Sequence, residues 1–189
     1  MQQAALHCFV KLGYHQTRIE DIIARAKTGK GTFYIYFKSK EEVVHSLIDD
    51  FAGRFEQIHQ WVFQSLSKSG ETSDLHQLFT EEGTILTKLL EENREVALFL
   101  HKEAHAISDE VHARFGSFYS QQIQRAVTSY TKALDMGLMK GIDPRFAAYC
   151  VVGGVSFIYF QWLEGKITDP LPDILQKTLD FYLQALSVG

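Results

Sequence analysis

Apolar side chains recur at the spacing of a helix along almost the whole chain of 189 residues, and this periodicity restricts the fold more than any other feature. Near the start, Ala5, Leu6, Phe9 and Val10 fall on one stripe, and Gly13 follows as a stop signal. The alternating pattern of a half-buried strand is scarce. The sequence therefore predicts an all-α fold of about nine helices.

Capping residues and polar breaks divide this pattern into segments. Thr17 with Glu20 three residues later is a predicted capping box, and Asp143-Pro144 is a typical helix start. Residues 67–73 form a polar break. With their caps included, the predicted helices lie at about 2–12, 17–26, 30–37, 39–66, 74–91, 94–107, 109–136, 144–164 and 171–187.

Charge is distributed unevenly along the chain. Residues 1–40 carry seven basic and two acidic side chains, whereas the remaining residues carry 12 basic and 21 acidic ones. A basic head on an acidic body is typical of a protein that meets phosphate at one end only. The asymmetry alone also fits a helical module that binds an acidic protein partner.

Neither a membrane span nor a secretory leader is indicated. The longest apolar run, residues 151–160, contains two glycines and Ser156 and is shorter than the roughly eighteen apolar residues that a span requires. The first residues lack the basic and apolar regions of a signal peptide. Cys8 and Cys150 lie in apolar helical patterns and are expected to be reduced, so we expect a cytoplasmic protein.

The head has the plan of a helix-turn-helix, with two short helices joined by a tight turn and a third packed against them. In the candidate recognition helix, Phe33 and Phe37 share one face and are predicted to be buried. The opposite face suits a major groove: its predicted base-edge contacts are Lys30 and Thr32. Phosphate contacts are predicted from Tyr34, Tyr36, Lys40 and the helix start at Thr17.

At these residues the chain resembles the head of the tetracycline-repressor (TetR) family, over about residues 4–47. The matching segments are Ala5…Phe9…Gly13-Tyr14…Thr17…Asp21-Ile22…Ala24…Ala26 and Gly31-Thr32-Phe33-Tyr34-Ile35-Tyr36-Phe37…Ser39-Lys40-Glu41-Glu42-Val43. The resemblance implies a DNA-binding domain at 1–46 and a helical ligand-binding and dimerisation domain at 47–189. It implies DNA contacts at Thr17, Arg18, Thr28, Gly29, Lys30, Gly31, Thr32, Tyr34, Ile35, Tyr36 and Lys40.

The turn departs from the pattern of that family. The family usually has Gly, an aliphatic residue and Ser where this chain has Lys27, Thr28 and Gly29. Without the glycine, either Lys27 adopts a left-handed conformation or the turn shifts by one residue.

The body is rich in aromatic residues, which favours an apolar effector pocket between helices. The last two helices are predicted to form a four-helix bundle across a two-fold axis, because Gly153-Gly154 permits close helix approach. The predicted pocket residues are Trp61, Phe99, His105, Phe118, Tyr119, Gln122 and Phe157. The predicted dimer contacts are Val151, Val155, Ile158, Trp162, Leu179, Tyr182, Leu183 and Leu186.

Catalytic motifs are not found, and the sequence predicts neither an enzyme nor a cofactor. His101 and His105 have the i, i+4 spacing of metal ligands, with His112 seven residues further, but Lys102 stands where a zinc protease needs glutamate. The main hypothesis is a homodimeric repressor that binds a double-stranded DNA operator and a hydrophobic or aromatic effector. A metal-dependent helical enzyme and a protein-binding module remain as alternatives.

Overall fold

A computed structural model describes residues 1–68, 75–139 and 141–186 of the chain. These residues form nine helices and no strand, which confirms the predicted fold class. Most of the predicted polar break at 67–73 lies outside the described residues. The helices are α1 Gln2–Leu12, α2 Ile19–Ala26, α3 Lys30–Tyr36, α4 Lys40–Lys68, α5 Leu75–Glu92, α6 Arg94–Ile107, α7 Asp109–Asp135, α8 Pro144–Leu163 and α9 Leu171–Leu186.

The chain is organised in two compact units. The first contains Met1–Gly53 and Asn93–Phe118, and the second contains Arg54–Glu92 and Tyr119–Gly189. These units describe packing, whereas the predicted boundary between residues 46 and 47 separates two functions and stays a prediction.

Aromatic packing holds the first unit together. Phe9 of α1 is 1% exposed and stacks on Phe99 of α6, with ring centroids 5.3 Å apart. Ile22 of α2 and Phe33 of α3 are fully buried. Such aromatic pairs add stabilisation beyond the apolar area that they bury. The core of this unit therefore fixes α1, α2 and α3 together with α6.

The start of α2 differs from the prediction. The Thr17 hydroxyl donates to the Gly13 carbonyl over 2.8 Å, so it is engaged one turn back rather than at a helix start. The Arg18 N–H instead donates to the Asp21 carboxylate over 2.8 Å. The predicted capping box of Thr17 and Glu20 is therefore wrong, because the cap lies one residue later.

The turn after α2 confirms the left-handed alternative for Lys27. Its φ and ψ are 53° and 47°, and it is the one non-glycine residue with positive φ in the described parts of the chain. The Lys27 N–H bonds to the Ala24 carbonyl and the Thr28 N–H to the Ile23 carbonyl, a Schellman motif that ordinarily ends in glycine. An L residue pays about 1–2 kcal/mol for this conformation.

We expect Lys27→Gly to raise the free energy of unfolding by about 0.5–1 kcal/mol. Glycine relieves the left-handed strain, and the greater entropy of its unfolded state offsets part of the gain. Lys27 is exposed, so no packing is lost. Urea unfolding followed by circular dichroism measures the change. Lys27→Ala is the control, since it removes the same side chain and keeps the strain; equal stability of the two variants would contradict the prediction.

Close approach of α8 and α9 organises part of the second unit. A Cβ on Gly154 would lie 2.0 Å from the Tyr182 hydroxyl oxygen, so only glycine lets this ring cross α8. The Tyr182 hydroxyl then donates to the Cys150 carbonyl over 2.7 Å. Leu183 and Ala147 lie in the same buried cluster. Of the two adjacent glycines, Gly154 is thus a close-packing position, and the contact that it permits lies within one protomer.

Helix α8 carries three aromatic side chains that are more than half exposed, Phe146, Tyr149 and Phe157. By length and composition Pro144–Leu163 is able to cross a membrane, although the sequence predicted no span, and only 22% of its apolar window is buried. The glycines and Ser156 interrupt the apolar run, but they leave its mean hydropathy in the range of a membrane-spanning helix. A large exposed apolar face of this kind is typical of a surface that contacts another molecule.

Candidate nucleic-acid interface

Helix α3 has a buried side and an exposed side, as predicted. Phe33 is fully buried and Phe37 is half-buried, with their ring centroids 6.1 Å apart. On the other side the exposed fractions are 78% for Ile35, 65% for Tyr36 and 49% for Tyr34. Gly31 is also exposed, and Thr32 is half-buried. Large apolar and aromatic side chains on a short exposed helix face are suited to contact with a groove.

Lys30 adds a positive charge at the start of this face. Its ammonium group lies 2.8 Å from the Glu20 carboxylate, and both side chains are 59% exposed. The hydrogen bond from Lys30 lowers the pKa of Glu20, so the pair is ionised at neutral pH. An exposed ion pair contributes little to stability, so a phosphate or a base edge is able to replace the Glu20 carboxylate as the partner of Lys30.

Lys40 and Thr17 lie differently from the prediction. The Lys40 ammonium donates to the carbonyls of Tyr14 and Thr17 over 2.8 and 2.6 Å, and it lies 4.6 Å from the centre of the Tyr14 ring. Partial burial lowers the pKa of Lys40. Thr17 is 1% exposed. These two side chains therefore hold the segment between α1 and α2 in place, and the predicted phosphate contacts of both residues stay a prediction.

The remaining predicted contacts border α3. Arg18 and Gly29 are exposed and Thr28 is half-buried. Two further cations, Lys27 and Lys38, flank the helix with exposed side chains, and the sequence reasoning did not assign them to DNA. Both lysines contribute to the basic excess of residues 1–40. The sequence does not distinguish them from Lys40, whose ammonium group points inward; only their exposure in the structure does.

Three of the predicted effector contacts belong to the first unit. Phe99 is 3% exposed and stacked on Phe9, and Phe118 packs against Phe51 with centroids 5.5 Å apart. His105 is exposed. Both phenylalanines thus serve the packing of this unit, and His105 does not have the burial expected of a pocket residue.

The other four predicted effector contacts belong to the second unit. Gln122 is 4% exposed, with its Oε1 2.9 Å from Nε2 of His59. Phe157 is 64% exposed, which contradicts its predicted place in an interior pocket. Trp61 and Tyr119 are half-buried. None of the seven residues lines the three cavities described in this unit.

Most of the predicted dimer contacts face the interior of their own protomer. Val151, Leu179, Tyr182 and Leu183 belong to or pack against the buried cluster of the second unit, and Val155 lines a cavity. Ile158 is half-buried, and Trp162 stacks on Tyr159 with centroids 6.1 Å apart. The side chain of Leu186 lies outside the described residues. The prediction therefore selected the inner faces of α8 and α9.

The predicted unpaired state of both cysteines is confirmed, and the histidine pair is not part of a metal-like cluster. Cys8 and Cys150 are free. Within the described ranges, the group with metal-ligand spacing is Glu41, His45 and Glu110, whose ligand atoms lie within 4.8 Å of one another. Acidic groups at a surface often cluster in this way without an ion.

Comparison with known proteins relates this chain to transcriptional regulators. Residues 3–47 match the family described as bacterial regulatory proteins, tetR family. Over 176 residues the chain is 25% identical to the HTH-type transcriptional regulator YhgD of Bacillus subtilis, covering 85% of this chain and 81% of YhgD.

Two solved structures share the fold along almost the whole chain. The TetR-family regulator PfmR from Thermus thermophilus superposes with a TM-score of 0.76 at 15% identity, covering 97% of this chain and 96% of PfmR. The regulator FadR from Bacillus subtilis, solved with stearoyl-CoA, gives a TM-score of 0.74 at 19% identity, covering 98% and 97%. Residues 3–47, which include the exposed α3 face, therefore match the head of the tetR family, and the chain as a whole shares the fold of TetR-family regulators; together these similarities support a DNA-binding transcriptional regulator.

Proposed function

We propose that the protein is a cytoplasmic repressor without enzymatic activity, which binds a near-palindromic DNA operator as a homodimer and is released by a hydrophobic small molecule. The observation that carries the proposal is the exposed face of α3 opposite the buried Phe33. A protein surface without a partner rarely keeps Ile35, Tyr34 and Tyr36 together in solvent.

The proposed dimer contact is an apolar stripe on α8. Phe146, Tyr149, Gly153 and Phe157 follow one another at intervals of three and four residues, so they share one helix face. The three aromatic side chains are 62%, 57% and 64% exposed. A Cβ on Gly153 would have no neighbour within 4 Å, so a partner helix has room to approach closely there. Two copies of this face are self-complementary across a two-fold axis.

Such a dimer presents two α3 helices to successive major grooves. Half-sites about 34–36 Å apart on a near-palindrome match the symmetry of the protein. Relief of repression requires that the effector prefers the state that does not bind DNA, because a ligand with equal affinity for both states shifts nothing. A fatty acyl species is one candidate class, since the related FadR of Bacillus subtilis was solved with stearoyl-CoA; drugs and aromatic compounds are others.

The test begins with selection of bound fragments from random DNA, followed by titration of the selected site at several salt concentrations. We expect Tyr36→Ala to weaken operator binding by about 10- to 100-fold, because removal of one groove contact typically costs 1–3 kcal/mol. The Tyr36 ring is 65% exposed, so its loss removes no core packing. Fluorescence anisotropy of a labelled duplex measures the change.

The control is Ile85→Ala, which removes a side chain that is 40% exposed on α5 of the second unit. It should leave operator affinity unchanged. If the wild-type protein binds random DNA as tightly as the selected sequence at physiological salt, the proposal of an operator-specific repressor fails and the protein-binding module becomes the better explanation. If DNA and effector affinities prove independent when measured together, the release mechanism fails.

A further inference from the structure

A cavity of about 90 Å³ lies within the second unit, enclosed by residues of α5, α7, α8 and α9 and partly open to solvent. Its wall is almost entirely apolar or aromatic. Phe79, Leu86 and Val155 contribute to it, and Gly83 leaves space because it has no side chain. Because the cavity is partly open to solvent, the apolar body of a small ligand is able to enter it and extend through the opening.

One carboxyl group interrupts this apolar wall. Glu82 of α5 lines the cavity and is half-buried, and its partial burial disfavours the ionised form of the carboxyl group. Among the described residues, none donates a hydrogen bond to this carboxyl group or forms an ion pair with it. A partly buried carboxylate without a partner is less stable than one that is fully solvated, so a cation that reaches it is favoured. Among the residues that line the cavity, Glu82 is the acidic one that a bound ligand would meet.

We propose that this cavity is the effector site, and that it selects a small amine whose apolar body fills the cavity while its protonated amino group pairs with the Glu82 carboxylate. This inference rests on the proposed function, because it names the chemical class of the effector. An ammonium group supplies both the charge and the hydrogen-bond donors that the carboxylate lacks. A carboxylate ligand of the same length would meet like charge and is disfavoured.

The titratable groups around the cavity make the affinity for the amine depend on pH. Burial raises the pKa of Glu82 to about 7. Facing it are Tyr130 from α7 and Tyr182 from α9, and burial raises the pKa of both phenols, while α8 contributes only valines to the wall. Between pH 5.5 and 8.5, therefore, Glu82 alone changes charge within the cavity.

The sign of the effect follows from the two protonation states. Below pH 7 Glu82 is mostly neutral, so a bound ammonium group must first displace a proton. Affinity for the amine should therefore rise by roughly tenfold per pH unit between pH 5.5 and 7 and level off above pH 8. A simple alkylamine stays protonated over this range, because its pKa is about 10.

The experiment compares hexylamine, hexan-1-ol and hexanoate, three probes of equal chain length that differ in charge. Isothermal titration calorimetry of the full chain without DNA gives their affinities between pH 5.5 and 8.5. In buffers of different ionisation heat it also counts protons. We expect hexylamine to bind most tightly at pH 8, and to release about one proton per site near pH 6 and almost none at pH 8.5.

Glu82→Gln should lower the affinity for hexylamine at pH 8 by about tenfold or more and remove its pH dependence, because the amide cannot ionise. Glu82→Asp should retain the pH dependence, which separates loss of charge from damage to the fold. Glu81→Gln is the matched control: it is the neighbouring glutamate on α5, exposed and bonded to Gln77. It should behave as wild type.

Two results would overturn the inference: tighter binding of hexan-1-ol or hexanoate than of hexylamine at pH 8, or a hexylamine affinity that is the same in Glu82→Gln and wild type. Operator titration of the same samples distinguishes this failure from failure of the repressor proposal. A protein that binds its operator but not hexylamine keeps the proposed function and loses the proposed effector class. A protein that binds hexylamine with the stated pH dependence but binds no operator keeps the proposed ligand class and loses the proposed function as a repressor.

Discussion

Phe33→Ala should lower the free energy of unfolding of the first unit by about 3–5 kcal/mol, the usual effect of removing a buried phenylalanine ring. Phe33 is fully buried, while the helix that carries it is only seven residues long. A helix of this length has little stability of its own, so packing must hold it in place. The substitution should therefore abolish operator binding at physiological temperature.

Hydrogen exchange of the α1–α3 amides measures this effect best. Tryptophan fluorescence is less suitable, because both tryptophans, Trp61 and Trp162, lie in the second unit and do not sense unfolding of the first. The control on the same helix is Ile35→Ala, whose side chain is 78% exposed; it should change stability by less than about 0.5 kcal/mol. A loss of less than 1 kcal/mol for Phe33→Ala, the order of one exposed contact, would show that α3 is not anchored by this ring.

Phe157→Asp should convert the proposed dimer to a monomer at micromolar concentration. Phe157 lies at the end of the exposed stripe on α8 and is 64% exposed in the protomer. A charge buried in an apolar interface has no partner, and loss of an aromatic contact at such a position typically costs 2 kcal/mol or more, which weakens dimerisation at least about 30-fold. Operator affinity should fall as well, because each monomer reads one half-site.

Sedimentation equilibrium at several protein concentrations measures the dimer dissociation constant. Ile85→Asp introduces the same charge at an exposed apolar position of α5, outside the stripe, and should leave the dimer intact. If Phe157→Asp remains dimeric, another surface forms the dimer. Phe181 of α9, which is 66% exposed, is the next position to test in the same way.

Local signals were sufficient for the helices and for the two sides of α3. The bounds Gln2–Leu12 and Arg94–Ile107 agree with the predicted ones, because the apolar period and the stop signals act within a few residues. The left-handed Lys27 was one of two alternatives for the turn after α2, because the sequence has no glycine there, and the structure decided between them.

Local signals failed where a side chain has two possible directions. Lys40 looks like any first-turn lysine, and only the carbonyls of Tyr14 and Thr17 turn it inward. Helix α8 is apolar on all sides, so its pattern does not distinguish the face that packs in the protomer from the face left open. For this reason the sequence pattern placed the inward-packing Val151 and Val155 in the dimer contact and did not mark the exposed Phe146 and Tyr149.

The sequence by itself thus determined the helices, the helix-turn-helix and the exposed side of α3, because these depend on neighbours along the chain. The tertiary structure alone decided which lysines face solvent, which side of α8 is open, and that Glu82 borders an apolar cavity. Nothing in the residues around Glu82 sets it apart from the other glutamates of α5. Its surroundings come from α7, α8 and α9, at least 40 residues away, and contacts at that separation leave no periodic signal in the sequence.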